Sequence, residues 1–291
     1  MGFFDRIGRS WEFAKTSYAI LWHNKQLLIF PILSGAALLA VLASFALPLW
    51  GTGTMQQWLQ AAEEGSAPAW QQAGLWITLF AFYFVNYFII VFFNSALVAC
   101  TFKVTAGEVP TVGFGLTVAS RRLPQIFGWA LLSAVIGVGL KAIESANEKV
   151  GRIVASLLGM AWSTMTFFAL PVIVIEGLSP AGALKSSLRT LKQTWGEALV
   201  GNFSLGIFGF LVALPAILLC GLLVYLGFSS GSMALAIAAV VLGVALIALI
   251  SAATSAADVI FRALLYQYAT GGLLPAEVDT TQFDQAFTPK G

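Results

Sequence analysis

Charge is what this chain has least of. Only 10% of its residues are Asp, Glu, Lys or Arg, against roughly a quarter in soluble proteins. So sparse a polar surface excludes a water-soluble globule, and 59% hydrophobic residues with a mean hydropathy of +0.88 point to an integral membrane protein. A lone histidine, His23, excludes a multi-histidine metal centre. The two cysteines, Cys100 and Cys220, sit inside separate apolar runs with no metal-ligand spacing. They read as small core hydrophobes, with no disulfide or redox role. No cofactor, metal or nucleic-acid partner is expected.

What is present is a series of apolar runs, each judged against the roughly 20 residues that cross about 30 Å of hydrocarbon. They lie near Leu27–Trp50, Leu75–Phe102, Ile126–Ile143, Ile153–Ile175, Ala198–Phe228 and Ala234–Ala257, the last helix running on to about residue 268. No secretory signal is expected ahead of them, because the first long run begins only at Leu27. The third run is the weak one. Fifteen residues, Ile126 to Leu140, precede Lys141, about 22 Å of helix at 1.5 Å per residue. It either extends past Lys141 as a full crossing or forms a re-entrant pair with the fourth.

Basic residues of short loops stay in the cytoplasm, and twelve of the fifteen lysines and arginines fall on one side if all six runs cross. Both termini are then cytoplasmic. The discordant three are Lys141, Lys149 and Arg152.

Ahead of the fifth run, Leu184, Leu188, Leu191 and Trp195 share a narrow helical arc beside Lys185, Arg189 and Lys192. That is the pattern of a helix lying in the membrane surface, its cations reaching lipid headgroups. Residues 1–26 repeat it: Phe3, Ile7, Trp11, Ala14, Tyr18 and Leu21 share a face, Phe13 and Ile20 fall off it, and Arg6, Arg9 and Lys15 are available to anionic lipid. FAKTSYAIL, GLTVASRRL and ALKSSLRTL precede the first, third and fifth runs. The expected architecture is all-α: a single polytopic membrane bundle over residues 1–270, built as three hairpins, each after a cytoplasmic interfacial helix, with residues 271–291 a cytoplasmic tail.

Three separated segments, WEFAKTSYAILWHNKQLLIFPILSG, SPAGALKSSLRTLKQTWGEALVGN and LLYQYATGGLLP, together resemble an uncharacterised family of six-helix prokaryotic membrane proteins, a domain of unknown function. The resemblance implies a multi-pass helical fold in a prokaryotic cytoplasmic membrane. It implies no substrate and no reaction.

Chemical motifs dissolve in their context. Gly227-Phe228-Ser229-Ser230-Gly231 matches G-x-S-x-G but falls in a tight turn between two apolar runs, with no strand before it. Gly137-x-Gly139-x-x-Ala142 mimics a dinucleotide fingerprint inside an apolar run, where close helix packing explains the glycines. A non-enzymatic protein is expected.

Polar groups within the runs are the remaining candidates. Tyr83, Asn86 and Tyr87 share a helical face, with Asn94 beyond, and Ser156, Gly159, Ser163 and Thr166 form a stripe on the fourth run. In hydrocarbon such groups face protein or a wet cavity, so they serve either interhelical bonding or a solute path. Asp258 and Arg262, spaced i,i+4, fit an ion pair at the cytoplasmic rim. No charge falls near the middle of a run, which counts against an ion-driven pump. Two classes remain: a membrane-organising or accessory subunit whose partners are lipids, other membrane subunits or itself, or a transporter, channel or scramblase for a small neutral solute or lipid.

Overall fold

The computed structural model describes residues 15–63, 68–146 and 149–272. All regular structure among them is helical. Helix α1 covers 15–23, and a 3-10 turn, Lys25–Leu28, leads into α2 (Ile29–Gly51). Beyond it come α3 (Thr54–Glu63), α4 (Ala69–Thr105), α5 (Val112–Arg121), α6 (Leu123–Ala146), α7 (Val150–Met165), α8 (Ala169–Ile175), α9 (Pro180–Ser229) and α10 (Met233–Ala269). Among the described residues, six helical stretches are long and apolar enough to cross a membrane: Lys25–Gly51, Gln72–Thr105, Leu123–Ala146, Val150–Ile175, Gly209–Ser229 and Met233–Ala269. The third extends past Lys141 to Ala146, which makes it long enough to cross. The loop of the first hairpin carries a short helix of its own, α3.

Two compact units divide the chain: Met1–Ile32, Leu97–Gly115 and Arg189–Gly291 form one, Leu33–Ala96 and Leu116–Leu188 the other. In the first, α10 packs on the 3-10 turn, and the Tyr18 hydroxyl donates to Thr254 Oγ1 at 3.0 Å. Small residues bring α9 and α10 together. A Cβ on Gly227 would stand 2.6 Å from the Ala236 backbone nitrogen, and one on Gly243 3.1 Å from Cys220 Cβ. Ala236, Ala239 and Gly243 are accordingly buried, since small residues let helix backbones approach closely.

In the second unit, α6 packs against α7, with Trp129 stacked on Trp162 at 5.9 Å. Gly151 closes that hairpin, because a Cβ there would meet the Ile143 carbonyl oxygen. The fourth crossing is not one helix: it breaks between α7 and α8, and the cause is local. Proline has no N–H, and its ring crowds the carbonyl four residues back, so Pro171 disrupts the ladder at Phe167. Freed backbone groups at membrane depth need partners from protein. Ser187, fully buried on α9, supplies them: its hydroxyl donates to the Met165 carbonyl at 2.8 Å and accepts from the Phe168 N–H at 3.1 Å. Pro48 and Pro215, by contrast, sit inside continuous helices.

The even crossings end alike. Gly107, Gly177 and Gly271 all have positive φ, +77°, +65° and +71°, the left-handed conformation that ends helices and that glycine adopts without a steric penalty. At two of them the following N–H reaches back five residues, Glu108 to Lys103 O and Gly272 to Gln267 O, the Schellman pattern. At the third, Arg122, just ahead of α6, and Gln125 of α6 grip the end of α8: Arg122 Nε donates to Val174 O at 3.2 Å and Gln125 Nε2 to Gly177 O at 3.3 Å. A cation belongs at a helix C-terminus, where the carbonyls are unpaired.

Two local expectations change. Helix α9 runs unbroken from Pro180 to Ser229, so the segment before the fifth crossing continues into it without the expected separation. On α1, Ile20 is buried together with Ser17 and Leu21, whereas the periodicity of residues 1–26 puts Ile20 off the apolar face. The buried arc is turned about one residue from that reading, because α1 packs on protein.

Candidate functional site

The second unit contains a cavity of about 300 Å³ lined by Tyr83, Tyr87, Gly137, Leu140, Lys141, Glu144, Arg152, Ala155 and Ser156. Three helices build it. From α4 come the tyrosines, four residues apart and therefore on one face, their rings 6.1 Å apart and nearly parallel. Gly137 of α6 makes room for them: a Cβ there would lie 3.4 Å from the Tyr87 ring and 3.5 Å from its hydroxyl. One turn further along α6 are Lys141 and then Glu144, and from the first turns of α7 come Arg152 and Ser156.

One end of the cavity is thus aromatic and the other charged. Lys141 Nζ lies 3.0 Å from Glu144 Oε2, both side chains more than a third exposed, so the pair itself adds little stability. Arg152 is exposed, and among the described residues the lining holds two cations and one carboxylate.

Of the six residues expected to form an intramembrane polar patch, Tyr83, Tyr87 and Ser156 meet here, and the other three are not in the lining. Asn86 turns its amide back to the Phe82 carbonyl of its own helix at 2.6 Å. Asn94 is half-buried and Ser163 exposed. Reading along the sequence missed Lys141, Glu144 and Arg152 as site residues, although the short third run and the discordant basic residues were the signals that mark them.

In the first unit Asp258 and Arg262 form an ion pair, Arg262 Nη2 to Asp258 Oδ2 at 2.8 Å, both side chains more than a quarter exposed. One turn before Asp258 is Thr254, bonded to Tyr18. Burial pushes the Tyr18 phenol above its ordinary value of 10; the Thr254 hydrogen bond opposes this and the Asp258 charge adds to it. Among the expected headgroup cations, Lys15, Lys185, Arg189 and Lys192 are exposed. Arg6 and Arg9 lie outside the described residues. On the α9 face away from those cations, Ala183, Ser187 and Leu191 are buried.

An all-α chain with six apolar spans is a multi-pass membrane protein. It belongs to a family of unknown function, DUF6159, whose family model matches residues 73–274. None of the curated proteins matches it.

Proposed function

We propose that this is a non-enzymatic, lipid-engaged accessory or membrane-organising protein of the prokaryotic cytoplasmic membrane, with both termini in the cytoplasm. The observation that carries the reading is the way the polar residues of the crossings are used. Those that converge do so in one cavity at the α6–α7 end, while Asn86 and Thr166 bond carbonyls of their own helices. Among the described residues, such an arrangement suits a ligand held at one level of the bilayer better than a polar path across it. Exposed cations on α1 and α9 suit anionic lipid on the cytoplasmic side, in keeping with the excess of basic residues there.

Extraction into native nanodiscs at native expression, with mass analysis of what co-purifies, tests the role. The accessory reading requires stoichiometric recovery with other membrane subunits. Recovery alone, as a monomer or closed homo-oligomer, would overturn it. An impermeant maleimide tests the orientation, with single cysteines placed at Thr52 and at Gly107: only the first should label from outside.

A second reading, a carrier or scramblase for a small solute or lipid, draws support from the break between α7 and α8, since discontinuous helices recur where transporters bind their substrates. Flux across vesicles reconstituted with the purified protein decides between the two.

A further inference from the structure

We propose that the cavity between α4, α6 and α7 is an anion site for a phosphate group, filled by the headgroup of an anionic phospholipid whose acyl chains leave along the apolar helix surface. The proposal deepens the lipid-engaged reading above and rests on it.

Helix length supplies the first argument. Lys141 stands fifteen residues beyond Ile126, so at 1.5 Å per residue only about 22 Å separates them, less than the roughly 30 Å of hydrocarbon. With Ile126 at the inner boundary, Lys141 falls short of the outer headgroups. A cation at that depth is costly unless it is paired or reaches a wet cavity. Glu144 pairs Lys141, which leaves Arg152 as the excess positive charge among the described residues of the lining. Lipid phosphates lie at the edge of the hydrocarbon, the level to which these two cations reach.

Donor chemistry supplies the second. Arg152 offers the planar fork that matches phosphate oxygens in pairs. Lys141 adds a mobile ammonium, and Ser156 and the two tyrosine hydroxyls are further donors on the same lining. A volume of about 300 Å³ accommodates a small headgroup, at the lower end of ordinary ligand pockets. The third is the charge pattern of the chain. Two of the three basic residues that violate the cytoplasmic bias, Lys141 and Arg152, are in this lining; a ligand phosphate accounts for both exceptions with one contact.

The test uses the full purified chain in nanodiscs of phosphatidylglycerol and phosphatidylcholine, transferred to detergent for native mass spectrometry. Wild type should retain one phosphatidylglycerol. Arg152→Gln should lower that occupancy at least tenfold and Tyr87→Phe less, while Arg152→Lys should restore part of it. Lys103→Gln, whose lysine instead pairs with Glu108 at 3.4 Å, removes the same charge elsewhere and should retain the lipid as wild type does. Binding of glycerol phosphate to lipid-free protein, lost in Arg152→Gln, would support the same anion site with a soluble occupant. Equal lipid retention by wild type and Arg152→Gln, or no binding of either ligand to wild type, would overturn the proposal. Because the readout needs no partner, its failure is distinct from a failure of the accessory reading, which shows only in co-purification.

Discussion

The hairpin of α6, α7 and α8 and the hairpin of α9 and α10 are built from the same parts and come out differently. Each is closed by a glycine against a facing backbone, Gly151 in one and Gly227 in the other. Each ends in a left-handed glycine, Gly177 or Gly271. Yet the returning helix of the first is broken after Met165, whereas α10 continues for 37 residues. Pro171 makes the difference, and Ser187 makes it tolerable by bonding the freed groups. Here the discontinuity combines a proline with a buried hydroxyl from a neighbouring helix.

The largest effect should come from closing the shared feature. Gly227→Ala puts a methyl within 3 Å of three atoms of Ala236, two of them backbone, and such overpacking typically costs about 1 to 3 kcal/mol. It should fall at the upper end, because backbone cannot swing aside. Thermal unfolding in detergent should show a clear drop; an unchanged midpoint would mean that the hairpin packs more loosely than these distances require.

Ser187→Ala comes next and acts on the broken hairpin alone. Removing a hydroxyl that two backbone groups use, one of them buried, should cost about 1 to 3 kcal/mol. Ser186→Ala, on the same helix but bonded to the exposed Glu176 carboxylate, should cost well under 1 kcal/mol by comparison. Equal losses in the two variants would remove Ser187 from its bridging role.

Asp258→Asn tests the unbroken helix. Its ion pair is i,i+4 and partly exposed, so the loss should be roughly 0.5 kcal/mol and should shrink further in high salt. A loss as large as that of Ser187→Ala would show that α10 depends on this pair as the fourth crossing depends on Ser187.

The smallest effect appears only in alkali. Because the folded Tyr18 phenol is raised above 10, its contribution is complete below the unfolded pKa and is lost as pH rises through the folded value. Wild type should therefore lose stability above pH 10 more steeply than Tyr18→Phe. Parallel curves for the two proteins would contradict the half-buried position of the ring.

Much of this architecture is legible along the chain, since apolar runs must find lipid or protein whatever their neighbours do. Length and hydropathy mark six spans, and i,i+4 spacing marks the pairing of Asp258 with Arg262 because that contact lies within one helix. The glycines that end the even crossings have a signal too: Gly107 and Gly177 are each followed three residues later by proline, Pro110 and Pro180. Helix stops of this kind are local chemistry and therefore visible.

The cavity was legible only in pieces. Tyr83 and Tyr87 stood out as a polar face, Ser156 as part of a stripe, and Lys141 and Arg152 as charges on the unexpected side. Nothing along the chain joined them, or separated them from Asn86 and Ser163.

Composition and periodicity alone thus determined a multi-pass helical membrane protein and the number of its apolar spans, because these depend on solvation and on neighbours within a turn or two. Tertiary structure alone decided that Ser187 holds a broken crossing, that Gly137 admits two tyrosine rings, and that three helices bring two cations to one cavity. Those outcomes depend on residues far apart in the chain, for example Phe168 with Ser187 and Tyr83 with Ser156. A hydropathy pattern records which face of a helix is apolar, but not which helix it meets.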